Sequence, residues 1–123
     1  MKRRKNDSIL QLDWDRCFFP NCSNPPTQVH HVMHGPDRDK ATEDGLLIHV
    51  CQTCHDAIHF GKNGGAIDRS LKKLAQTKWE EREKTKRIYH VTLKSVREVD
   101  EYVDGIEREI RADWMRRYGR NYR

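Results

Sequence analysis

The chain has 123 residues, of which 35% are charged and 35% hydrophobic, and it carries a net charge of +5. A chain this short and polar forms one small domain and cannot bury a large core, so metal crosslinks are a natural supplement. No stretch approaches the roughly 18 apolar residues of a membrane span.

In chain order, residues 1–16 read as a basic leader with a docking segment. Lys2 to Lys5 form one cluster of positive charge, and Arg111 to Arg123 contribute a second. Either cluster suits contact with phosphates, and excess positive charge favours polyanionic partners. The apolar stretch Ile9 to Leu12 is too short for a secretion signal, so the expected location is the cytoplasm. Ile9, Leu12 and Trp14 are expected to pack onto the core. Residues 17–61 form a metal-rich module. Gln28 to Met33 and Leu46 to Val50 are rich in β-branched and apolar types and predict two short strands. The polar run Gly35 to Gly45 predicts a loop between them. A helix is expected from Cys54 to near Gly61, with Asn63-Gly64-Gly65 breaking the chain.

Residues 62–123 read as a helical extension of the same domain. Ile67, Leu71, Leu74 or Ala75, and Trp79 recur at helical spacing over 67–86. Ile88 to Leu93 predict an extended link. Ser95 and Glu98 form a capping box that opens the third helix. Val96, Val99, Val103, Ile106, Ile110 and Trp114 line one of its faces, and Gly119 ends it. That stripe is suited to core packing or to pairing with a second copy as a homodimer.

Between Cys17 and His59 stand four cysteines and six histidines. In a reducing compartment clustered cysteines bind metal more often than they pair. Cys51 and Cys54 have the gap of a zinc knuckle, and Cys17 and Cys22 have a gap within the usual range. Together they supply the four thiolates of a closed structural zinc site. His55 and His59 lie four apart, one helical turn, so their rings share a face. His30 and His31 are adjacent on a strand, where neighbours face opposite ways, so one of them can join a given ion. If His30 joins His55 and His59, the ion has three imidazole ligands and open positions. His31 is then near the metal but not on it, and a neutral imidazole of pKa about 6.5 suits a general base. His34, in the loop, is suited to phosphate contact. His49, on the second strand, is expected to be structural or at the surface, and His90 lies outside the module.

His30-His31, the loop after them and the run CQTCHDAIH resemble the ββα-metal fold of HNH endonucleases. More closely, the chain resembles small HNH-like proteins of phages and prophages, in which paired cysteines are a common accessory. The resemblance covers Cys17 to about Trp79 and returns in the terminal RRYGRNYR, while residues 85–110 look like an insertion or a divergent helix. It implies an α+β fold in which His30, His55 and His59 hold a catalytic divalent ion and His31 takes a proton from the attacking water. Magnesium or manganese is the family-style ion, with nickel or zinc tolerated, and zinc fills the cysteine site. The implied substrate is DNA, nicked or cut to leave 5′-phosphate and 3′-hydroxyl ends, in a bacterial or phage-infected cell. The chain departs from the family pattern at Thr42-Glu43-Asp44-Gly45-Leu46, where an asparagine usually braces the loop that presents the base. Asp44 is the candidate for that bracing, though it lacks the amide donor. The competing expectation is a zinc module without catalysis that binds DNA or a protein partner.

Overall fold

A computed structural model describes residues 8–88 and 96–123. They form an α+β chain. In order come β1 (Gln28–His31), a 3-10 turn (Gly35–Asp37), α1 (Arg38–Asp44), β2 (Leu47–Val50), α2 (Gln52–Phe60), α3 (Gly64–Ile88) and α4 (Val96–Tyr118). The chain divides into two compact units, one ending at Ala75 and one running Gln76–Arg123. The leader cluster Lys2 to Lys5, the link at 89–93, His90 and the Ser95 half of the capping box lie outside the described residues.

In the first unit β1 and β2 pair antiparallel, with His30 opposite Ile48 and His31 opposite Leu47. Leu46, Ile48, Val50 and Val32 are fully buried at its centre. The segment before β1 lies along β2 and ties down its polar groups. Ser8 Oγ donates to Leu47 O at 2.5 Å, Ile9 N donates to Gly45 O at 2.9 Å, and Gln11 Oε1 accepts His49 N–H at 2.8 Å. Trp14 is buried as expected, but Leu12 is 99% exposed. The leader docks by backbone clasps and one indole, not by an apolar run.

The expected loop at Gly35 to Gly45 is instead largely helical. Pro36 starts the 3-10 turn, and Asp39 places negative charge in the first turn of α1, where the helix dipole favours it. Gly45 then ends α1 in the left-handed region at φ 73°, with its N–H on the last carbonyls. Only Ala41 of α1 is buried, so the helix carries no apolar periodicity in its sequence.

The Cys51 thiol accepts the Cys54 N–H at 3.4 Å and so caps α2, which therefore starts at Gln52 and not at Cys54. The chain then turns sharply. A Cβ on Gly61 would lie 2.6 Å from Ala57 O, and one on Gly64 would lie 2.4 Å from Ile58 O. Only glycine lets the backbone pass this close. Gly64 and Gly65 do not break the chain as expected; they open α3.

In the second unit α4 packs on the later part of α3. The Trp79 and Trp114 rings meet edge to face at 5.5 Å, and Ile106, Ile110, Trp114 and Tyr118 are buried. The expected apolar stripe is buried only from Ile106 onward; Val96 is 78% and Val99 39% exposed. Gly119 ends α4 with φ 77°, as expected. After it the chain is pinned: Trp114 Nε1 donates to Arg120 O at 2.8 Å, and Gln76 Oε1 accepts Tyr122 N–H at 2.6 Å. Arg111 makes two bonds to Glu80, at 2.7 and 3.1 Å, and Arg123 reaches the same carboxylate at 2.6 Å. Burial would raise the Glu80 carboxyl, but the hydrogen bonds from Arg111, Gln76 and Arg123 outweigh it and hold the pKa below the ordinary value. No described helix is long and apolar enough to cross a membrane.

Candidate metal centres

The four cysteines converge between the segment before β1 and the start of α2. All are free thiols, and their sulfurs lie within 4.8 Å of one another. Cys22 Sγ and Cys51 Sγ are 3.6 Å apart, far beyond the roughly 2.05 Å of a disulfide. A tetrahedral ion with metal–sulfur bonds of about 2.3 Å needs sulfurs about 3.8 Å apart. The cluster thus matches a closed four-thiolate site for a metal such as zinc. Backbone and amide donors are already aimed at the sulfurs. Cys51 N donates to Cys17 Sγ at 3.5 Å, and Asn24 Nδ2 donates to Cys51 Sγ at 3.8 Å. The Cys54 N–H at the start of α2 leads the interactions that hold the Cys51 thiol down at about 6, so it is ready to ligate as thiolate.

The second cluster lies between β1 and α2. The ligand atoms of His30, His55 and His59 also lie within 4.8 Å of one another, and the rings are 4.5 to 5.6 Å apart by centroid. β1 supplies His30, and one turn of α2 supplies the other two. His30 is 2% exposed, and its Nε2 is buried with no hydrogen-bond partner among the described residues. A buried polar nitrogen left unpaired is costly, and a metal ion would satisfy it. Burial, and then repulsion from His59, His55 and His34, push the His30 pKa down to about 4. Burial and His59 lower His55 as well. His30 is therefore neutral at physiological pH, the form that ligates.

These imidazoles line a cleft of about 340 Å³ that also takes in His31, His34 and Arg38. Here β1 brings both adjacent histidines to one cleft, although only His30 belongs to the three-imidazole cluster. His31 is the last residue of the strand, where the alternation of faces ends. Its pKa is lowered by burial first and by the Arg38 guanidinium second. Its Nε2 lies 3.0 Å from Thr42 Oγ1. Thr42 of α1 thus meets His31, and Asp44 is the last residue of α1, just before Gly45.

His34 reaches the cleft with its ring 6.4 Å from that of His30, and its Nε2 meets Asp68 Oδ1 of α3 at 3.2 Å. Asp68 is held in turn by Lys72 at 2.9 Å. His49 has the structural place expected for it: stacked on Trp14 at 4.8 Å, its Nδ1 donating to Trp14 O at 2.6 Å. Sequence reasoning did not single out Arg38, Thr42 or Asp68. Each sits in a charged or polar run, and only the path of α1 and α3 brings it to the cleft.

Chemically, the two centres differ. The thiolate site is saturated by protein ligands and can only brace. The imidazole site offers three imidazole ligands, an open cleft, a cation in Arg38 and a fourth imidazole beside it. Comparison of the chain with protein-family models, with curated proteins and with solved structures returned no match.

Proposed function

We propose that the protein is a metal-dependent DNA endonuclease or nickase of the HNH type, with β1, β2 and α2 as its ββα-metal core. The observation that carries this reading is the buried His30 Nε2, without a hydrogen-bond partner among the described residues, set among His55 and His59 in a cleft that His31 also lines. A structural site would have no need of an extra imidazole beside three that suffice for an ion.

When bound, a divalent ion supplies Lewis-acid stabilisation of the charge that develops on the scissile phosphate. The protein does the rest. His31, neutral because burial and Arg38 disfavour its cation, accepts a proton from the attacking water. The water oxygen bonds to phosphorus as the phosphorus–O3′ bond breaks, and the leaving oxygen is protonated from solvent. Arg38 holds non-bridging phosphate oxygens at the mouth of the cleft. His30, His55 and His59 would hold that ion. The four thiolates, with zinc as the natural occupant, fix the turn from which α2 presents His55 and His59.

The test is incubation of supercoiled plasmid with the protein and magnesium, manganese, nickel or zinc in turn. Nicked or linear product with at least one ion, lost in His55→Ala while the thiolate-bound metal stays, is the expected result. Intact plasmid in every lane, with one tightly held metal per chain and no second ion bound in excess, would leave a zinc module without catalysis.

A further inference from the structure

The hydrogen bonds around Thr42 fix more than the position of His31. A threonine hydroxyl has one proton to give. In α1 that proton goes back along the helix, from Thr42 Oγ1 to Arg38 O at 3.3 Å. This bond to the carbonyl one turn earlier is the usual habit of a helical threonine. With its proton so used, Oγ1 can only accept. In that arrangement His31 Nε2, 3.0 Å away, is the donor. A donating Nε2 carries the ring proton and leaves the lone pair at Nδ1.

We infer that Thr42 is the positioning residue of His31: it locks the ring as the Nε2–H tautomer and leaves Nδ1 as the atom that takes the proton. This rests on the nuclease reading for its catalytic meaning, but the lock itself is a property of the free protein. It also answers the departure from the family pattern in this loop. The brace comes from the hydroxyl of Thr42 on α1 and not from a side-chain amide. α1 can deliver it because Gly45 turns the chain directly into β2, whose Leu47 pairs with His31. The distance from Thr42 to His31 is thus set by three joined elements.

Long-range proton–nitrogen correlation spectra of full-length, zinc-loaded protein at neutral pH test the lock. His31 signals are assigned by their loss in His31→Ala. Wild type should show a protonated Nε2 and a bare Nδ1. Thr42→Val, which keeps the shape and removes the hydroxyl, should give mixed tautomers, and Thr42→Ser should restore the wild-type signature. In plasmid cleavage Thr42→Val should lower kcat about tenfold or more with KM nearly unchanged, and Thr42→Ser should recover most of it. A wild-type His31 protonated at Nδ1, or a signature unmoved in Thr42→Val, would overturn the lock. A changed signature with unchanged kcat would overturn its role in the reaction. If the wild type cuts no DNA with any metal, the nuclease reading fails, and the spectra still decide whether Thr42 holds His31.

Discussion

A histidine ring closed off from water, facing two other imidazoles, is poised for an ion and ill suited to a proton. In the metal-free protein His30 has a pKa of about 4 against an ordinary 6.5. Between those values the unfolded chain binds the proton and the folded chain does not. Stability should therefore be fully present above about pH 6.5 and be lost as pH falls toward 4. Urea unfolding at a series of pH values should show this slope in metal-free protein, and His30→Phe should reduce it. A slope equal in both would remove His30 as its source. At the other centre, Cys54→Ser should lose the bound metal and lower the melting temperature sharply, since a structural site contributes folding free energy directly. Metal analysis and thermal unfolding check this together. At this scale the two clusters were legible in the sequence, because residue type and spacing alone group Cys17, Cys22, Cys51 and Cys54, and set His55 one turn from His59. Thr42, Arg38 and Asp68 were not legible. Nothing in a polar run says which member will face a cleft.

Elements were readable where they carry periodicity and hidden where they do not. β1, β2, α2 and α3 lie close to their expected places, while α1 escaped notice because Ala41 is its only buried residue. The α2–α3 turn was misplaced for a different reason. Glycines usually mark breaks, but Gly64 is needed here for close approach and not for its freedom. This separates two neighbours. Gly64→Ala forces a Cβ against the Ile58 carbonyl and should destabilise by about 2 kcal/mol or more. Gly65→Ala meets only the end of the Arg69 side chain at 3.5 Å and should stabilise α3 by about 0.5 kcal/mol. Denaturant midpoints of the two variants should move in opposite directions; a shared direction would refute the close approach.

At the scale of the whole molecule, each of the two units has its own means of closure. The first is closed by thiolates and by the clasp of residues 8–14 on β2. The second is closed by its tail, because Gln76, fully buried, spends its amide on Glu80, Asn121 and the Tyr122 N–H. Deleting residues 119–123 would strand that amide and leave Glu80 with one arginine fewer. A loss of about 1–3 kcal/mol is expected for the buried groups left unpaired, read from tryptophan fluorescence during unfolding, since Trp79 and Trp114 report on this unit. The proposed DNA binding should weaken as salt rises, because basic residues would contact phosphates. The most direct measurement of the central claim compares wild type with His31→Ala in relaxing supercoiled plasmid, each with the same bound metal. The account predicts cleavage by wild type and a rate at least about 100-fold lower in the variant, with metal content unchanged. Equal rates would contradict the assignment of His31 as the base and, with it, the reading of the cleft.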